Sequence, residues 1–208
     1  KTINNHKRSL KAAFYTAIQD DCIRKNPFDF QLNTVLEDDT EPKVPLSPAQ
    51  EASFLSFIQS DKVYRKYYDE IVILLGTGLR ISELCGLTDA DIDFENKLIN
   101  VDHQLLRIAG SGYCIETPKT KSGVRQIPMS TKVCEAFERV LKNRRAEKPF
   151  IIGGHTRFIF LNRDGLPKVA ATYETMFRRL VKKYNASHEE QLPKVTTPHT
   201  LRHTFCTN

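Results

Sequence analysis

The sequence has no long apolar run. Its longest, Ile71–Leu75, is five residues, far short of the roughly 18 needed for a membrane span. The opening stretch, Lys1–Lys11, is polar and charged and carries no secretory-signal pattern. Cysteine is sparse: Cys22, Cys85, Cys114, Cys134 and Cys206 lie at least 20 residues apart. That spacing excludes CxxC zinc ribbons and argues against a disulfide scaffold. An odd, scattered set fits a reducing cytoplasm, with most thiols acting as small core residues. Internal repeats and low-complexity tracts are also lacking. What remains is a globular composition, 40 % hydrophobic and 27 % charged over 208 residues.

Charge is unevenly spread. The chain has 31 Lys plus Arg against 25 Asp plus Glu, a net of +6. Pro27–Asp61 holds seven acids and one base. Arg107–Arg145 holds nine bases and three acids, and Met176–Asn208 six bases and two acids. A single charge run is commonly a solvated helix face. Segregation on this scale predicts one basic face meeting a polyanion.

Hydrophobic spacing predicts a helix over Lys7–Arg24, with Leu10, Phe14, Ala17 and Ile18 on one stripe and Asn26-Pro27 as its stop. The acidic segment that follows, with Pro42 and Pro45, reads as a linker. The expected organisation is a closing helix of an earlier domain in 1–30, a linker in 31–45 and a main domain in 46–208. Ser47-Pro48 with Glu51 opens a helix to about Ser60. Val63–Leu75 is a second helix and Ile81–Gly86 a short third. Leu98–Ile108 reads as one strand. Tyr113–Thr117 and Val124–Met129 read as a hairpin around Lys119–Gly123. Lys132–Arg145, Thr172–Tyr184 and a segment from His199 are helical. The fold class is mostly α with a small antiparallel β-sheet (α+β).

Three stretches carry chemistry. In Gly76-Thr77-Gly78-Leu79-Arg80-Ile81-Ser82-Glu83-Leu84, a glycine turn puts Arg80 at a helix start, beside free N–H groups that favour a phosphate oxygen. Glu83, three residues on, can buttress that turn, although an isolated Arg-x-x-Glu is an ordinary surface pair. Pro118-Lys119-Thr120-Lys121-Ser122-Gly123-Val124-Arg125-Gln126-Ile127-Pro128 puts two lysines at a tip able to reach a phosphate or a leaving oxygen. Lysine on an edge hairpin also guards against aggregation. Thr197-Pro198-His199-Thr200-Leu201-Arg202-His203-Thr204 places His199, Arg202 and His203 on one helical face. Read as a metal pair, His199 and His203 lack the intervening glutamate of zinc proteases, and Arg202 sets a cation beside them. A third ligand would have to come from His103, His155, Asp102 or Glu189, none at motif spacing.

Arginine, then a hairpin lysine, then His-x-x-Arg resembles the catalytic domain of the tyrosine recombinases, the phage integrase family. The nearest flavour is that of conjugative-transposon integrases. The likeness runs from about Leu46 to the end, and Lys7–Pro27 is similar to the closing helix of the family's core-binding domain. The resemblance implies that Arg80 and Arg202 clamp a scissile phosphate. It implies that Lys119, with Lys121 as rival, protonates the leaving 5′-oxygen, and that His199 hydrogen-bonds the phosphate or aids proton transfer. Glu83 would support the first arginine, and His203 would line the pocket or pack behind it. Lys121 and Arg125 would contact DNA. No metal or cofactor is implied. The implied partner is double-stranded DNA, bound by a homo-oligomer that is a tetramer at synapsis, with no membrane. The family's nucleophilic tyrosine follows the His-x-x-Arg helix. Tyr184, the last tyrosine here, precedes it, so the expectation is a fragment that binds DNA without cleaving. The competing reading is a DNA-binding module whose arginines and lysines only position backbone phosphates.

Overall fold

The computed structural model describes residues 2–36, 44–118, 123–144, 150–193 and 196–207. It forms two compact units, Lys1–Pro42 and Lys43–Asn208.

In the first unit, helix α1 spans Thr2–Gln19. It ends earlier than its apolar stripe predicts. Asp20 and Asp21 follow, and Asp21 sits at φ 55°, a left-handed conformation that short polar side chains tolerate and a helix does not. Asn26 is therefore not the helix stop. Its Oδ1 accepts from the Phe28 N–H at 3.0 Å and its Nδ2 donates to the Lys11 carbonyl at 2.8 Å. This folds the following residues back on α1, where Phe28 meets Phe14 with ring centroids 5.2 Å apart and Asp29 pairs with Lys11 at 2.5 Å. No described residue of α1 is buried.

The second unit is built around a helix that is apolar nearly all round. Helix α2, Pro48–Ser60, opens with the expected proline and a capping box. The Ser47 hydroxyl accepts from Gln50 N and the Gln50 side chain accepts from Ser47 N. Asp61 then takes the Val63 and Tyr64 N–H groups on one oxygen, making a turn over the start of the second helix expected from Val63. After a 3₁₀ turn at Arg65–Tyr67, helix α3 covers Tyr68–Thr77 with Glu70–Leu75 all buried. A helix with no polar face belongs in a domain centre. Helix α5, Thr131–Lys142, and helix α7, Pro198–Thr207, both pack on it. Helix α4, Ile81–Gly86, follows α3 directly. Helix α6, Ala170–Ser187, buries Tyr173, Met176, Phe177, Leu180, Val181 and Tyr184 at helical spacing.

The β portion differs from the hairpin predicted. Strands β1 (Ile92–Asp93), β2 (Leu98–Val101) and β5 (Arg125–Pro128) form one antiparallel sheet in the order β1-β2-β5, with Ile99 opposite Ile127 and Val101 opposite Arg125. Strands β3 (Gln104–Ile108) and β4 (Gly112–Glu116) form a second, with Leu105 opposite Ile115. The stretch read as one strand is thus two, in different sheets. Ile99, Val101, His103 and Leu105 are all buried, so alternation runs straight through the switch and hides it. The His103 ring marks the change. Its Nε2 lies 2.8 Å from the Gly86 carbonyl and its Nδ1 2.5 Å from Asp102 Oδ1, drawing the chain towards α4. Among the described residues β4 and β5 do not pair, and the two strands expected to form one hairpin lie in different sheets.

The fold class stands as predicted, helical with small antiparallel sheets. Among the described residues, no helix is long and apolar enough to cross a membrane.

Candidate active site

The site starts where α3 stops. Gly78 takes the left-handed conformation, φ 60°, and its N–H closes the helix on the Leu74 carbonyl. A Cβ on Gly78 would lie 2.4 Å from Phe205 Cδ1 on α7. Glycine therefore serves twice here, reversing the chain and letting α7 approach. Two residues later Arg80 precedes the first turn of α4.

Glu83, one turn into α4, is the hub. It is 2 % exposed. Its Oε2 accepts the Arg80 backbone N–H at 2.8 Å and Arg125 Nη2 at 2.7 Å. Its Oε1 accepts Arg80 Nη1 at 2.7 Å and Arg125 Nη1 at 3.2 Å. Arg202 Nη1, from α7, stands 3.9 Å from Oε2 and donates to the Gly78 carbonyl. Burial by itself pushes the Glu83 carboxyl up. The Arg125 hydrogen bonds, the Arg80 N–H and the Arg80 guanidinium together outweigh it and hold the group below its ordinary value. Arg202 shifts the other way for a guanidinium: burial, then repulsion from Arg80, pull its pKa down, with Glu83 opposing. Three guanidiniums share one carboxylate, so two positive charges are left unbalanced in a half-buried place. An anion is the ligand such a place lacks. The Arg80 side chain, 51 % exposed, is the most open to solvent of the three.

Helix α7 is tied down on its inner side. The Leu46 N–H donates to the Thr204 hydroxyl at 3.0 Å, and the Thr197 N–H donates to the Thr200 hydroxyl at 3.0 Å. Thr200, Leu201 and Thr204 are buried, while His199 and His203 are exposed with ring centroids 4.7 Å apart. His199 lies one turn before Arg202 and so shares its side of the helix. It also lines a cleft of about 810 Å³ with Ile81, Phe177, Arg178, Val181 and Lys182. Neither Arg80 nor Arg202 lines that cleft; it reaches the arginine cluster only at Ile81 and His199.

The structure thus brings Arg80, Glu83 and Arg202 together, across more than a hundred residues. It adds Arg125, named from the sequence as a DNA contact, whose guanidinium grips Glu83. Nothing in the spacing joins positions 83 and 125; only the strand pairing of β5 with β2 delivers Arg125 here. At this helix start, the Arg80 N–H is taken by Glu83. Lys119 and Lys121 lie outside the described residues. Their neighbours on either side are described: a Cβ on Gly123 would fall 2.2 Å from Pro118 Cβ, and the Gly123 carbonyl accepts Arg125 Nη1 at 3.0 Å. Arg178 and Lys182, which line the cleft beside His199, are cations that motif reading passed over.

The donors close enough to hold a metal ion, among the described residues, are Asp91, Asp102 and His103, with ligand atoms within 4.8 Å of one another. They are engaged already. Asp91 Oδ2 accepts from the Thr88 N–H and hydroxyl, both at 2.7 Å, and His103 bonds Gly86 and Asp102. His199 and His203 are not in that group.

Residues 45–208 match the phage integrase family. The whole chain is 62 % identical over 208 residues to the transposase from transposon Tn916 of Enterococcus faecalis, covering 51 % of that protein. Among solved structures, the Tn1549 transposon integrase in complex with a circular intermediate DNA has a TM-score of 0.96 at 72 % identity, over 100 % of this chain and 66 % of that one. XerA recombinase has a TM-score of 0.57 at 25 % identity, over 95 % and 58 %. The chain spans about half the length, 51 %, of each curated relative that it matches at 62 % identity. With a family match over residues 45–208, nearly all of the second unit, the chain belongs to the phage integrase family, the tyrosine recombinases.

Proposed function

We propose that this chain supplies the phosphate-activating part of a site-specific DNA recombinase that integrates and excises a mobile element, a conjugative transposon. The observation that carries the reading is the shared anchoring of Arg80 and Arg202 on Glu83, with two positive charges in excess. In the proposed reaction a tyrosine hydroxyl attacks a phosphorus of duplex DNA. The bond from phosphorus to the 5′-oxygen breaks as a 3′-phosphotyrosyl bond forms, and the phosphodiester energy is kept for rejoining. Charge grows on the non-bridging oxygens in the transition state. Planar guanidiniums already fixed in place meet that charge without reorganising. Lys119 or Lys121 gives a proton to the leaving 5′-oxygen, and the other contacts a backbone phosphate. His199 hydrogen-bonds the same phosphate or helps carry away the proton that the tyrosine hydroxyl releases on attack, and His203 lines the pocket or packs behind it.

No tyrosine of this chain is assigned as the nucleophile. Tyr173 and Tyr184 are 1 % exposed, and the Tyr184 hydroxyl is spent on Ser53 at 2.7 Å. The DNA-bound relatives support duplex DNA as the partner. A homo-oligomer, tetrameric at synapsis and acting in the cytoplasm, completes the proposal.

The test uses an integrase at the full length of its relatives, carrying this sequence, and a nicked suicide duplex. A covalent adduct forms and survives chelator. Arg80→Ala and Arg202→Ala each slow cleavage by about a hundred- to a thousandfold, as for loss of a preorganised transition-state donor, and change DNA affinity little. Variants that cleave normally would reduce the site to a DNA-positioning module.

A further inference from the structure

We infer that Arg125 is a positioning residue of this site, holding Glu83 against Arg80 and tying the end of the lysine-bearing segment to the same carboxylate. The inference rests on the recombinase reading above and assigns Arg125 a role other than DNA contact.

Three observations converge on it. First, the guanidinium grips Glu83 with both terminal nitrogens, Nη2 to Oε2 at 2.7 Å and Nη1 to Oε1 at 3.2 Å. A two-point grip fixes the plane of the carboxylate, and a planar fork provides it where an ammonium does not. Glu83 turned by that grip presents Oε1 to Arg80 Nη1 and Oε2 to the Arg80 N–H. Second, the same Nη1 donates to the Gly123 carbonyl at 3.0 Å. Gly123 directly follows the segment that holds Lys119 and Lys121, and it abuts Pro118 at the segment's other end. One guanidinium therefore links the acid-bearing segment to the phosphate-binding arginines. Third, Arg125 is itself held. It lies on β5 opposite Val101, a residue 2 % exposed, and its own side chain is only 25 % exposed.

Burial decides how much this matters. Glu83 is nearly sealed from water, so its charge depends on protein donors. The groups facing it are Arg80 from the start of α4, Arg125 from β5 and Arg202 from α7. Arg80 must also meet the DNA phosphate, and Arg202 is 3.9 Å away. Among the described residues, Arg125 alone makes two hydrogen bonds to the carboxylate through its side chain, and it has no assigned task at the phosphate. Removing it would leave Arg80 as the main partner of a buried anion and pull that guanidinium inwards.

The experiment is a double-mutant cycle in the integrase at the full length of its relatives. Arg125→Met and Glu83→Gln are made singly and together. Single-turnover cleavage at saturating enzyme is read beside DNA affinity as a function of salt. Arg125→Met should slow cleavage by about tenfold or more, the range seen when outer-shell partners are lost. The slope of log K against log salt should stay unchanged. The double variant should cleave no slower than the slower single variant, because both changes break one interaction. Arg125→Lys, which keeps the charge and loses the fork, should fall between Met and wild type; it also serves as the cycle partner should Arg125→Met fold poorly. Thermal melts of every variant separate positioning from mere stability, since a positioning loss persists well below the melting transition. A salt slope lowered by about one unit with a normal saturated rate would make Arg125 a phosphate contact and overturn the inference. So would rate losses that simply multiply in the double variant. Arg80→Ala is run in parallel: normal cleavage there would sink the recombinase site itself, a different failure.

Discussion

Replacing Glu83 by alanine should destabilise the second unit by about 3 kcal/mol. The estimate follows from the environment of one carboxylate. It accepts four hydrogen bonds between 2.7 and 3.2 Å from Arg80 and Arg125, and it is 2 % exposed. Each charge-assisted bond is worth about 1.5–3 kcal/mol before desolvation of the ions is charged against it. Breaking a buried pair by removing one partner leaves about 3–5 kcal/mol of net loss. Arg80 is half exposed at 51 % and water screens its share, which puts the result at the lower end. Water cannot enter to solvate the remaining guanidiniums fully, and they repel one another. For a domain of this size, about 3 kcal/mol corresponds to a drop in Tm of about 6–12 °C, measured by calorimetry or circular dichroism at pH 7. The pH dependence gives a second handle. The folded Glu83 carboxyl lies below its ordinary value of 4.5. Its contribution is therefore complete above pH 4.5 and is lost as pH falls through the lower folded value. The wild type and Glu83→Ala should differ fully at pH 7 and converge under strong acid. A variant within about 0.5 kcal/mol of wild type at pH 7 would refute the account of Glu83 as the hub.

Gly78→Ala should cost about 1–3 kcal/mol, because the left-handed backbone and the Phe205 ring 2.4 Å from the new Cβ both oppose it; a melt unchanged from wild type would contradict the close approach of α3 and α7. Thiol labelling under native conditions should modify Cys22 and Cys206, which are exposed, and spare Cys85, whose thiol burial pushes up in pKa, and buried Cys134. Rapid labelling of Cys85 in the folded chain would show that the core around α4 opens. Lys121→Ala should lower the slope of log K against log salt for DNA binding by about one unit if that lysine is the backbone contact, and an unchanged slope would take it off the DNA.

Much of this fold is legible in the sequence. Local rules set α2, whose proline and capping side chains are adjacent in sequence, and the Gly78 turn, whose glycine the following arginine made conspicuous. The order of Arg80, the lysine segment and His199-x-x-Arg202 carried the family, since those motifs keep their local contexts. The errors came from choices that sequence period does not encode. Burial alternates without interruption from Ile99 to Leu105, so nothing local marks the exchange of partners at Asp102-His103. The same blindness made 113–129 look like a hairpin, because two strands around a turn need not pair with each other. Helix α1 ended early because Asp20 and Asp21 favour a turn that its apolar stripe outvoted. The grip of Arg125 on Glu83 is hidden in the sequence for a related reason. A lone arginine beside two lysines reads as part of a basic surface until the sheet brings it to a buried acid 42 residues away.

The claim that Arg80 and Arg202 form one phosphate clamp is tested most directly by a crystal structure of this chain with a duplex carrying its attachment site. A single phosphate should sit with non-bridging oxygens about 2.7–3.2 Å from the guanidiniums of both Arg80 and Arg202, with Glu83 still behind them and His199 on the same side. A duplex whose phosphates contact the two arginines separately, or bypass Arg202 altogether, would contradict it.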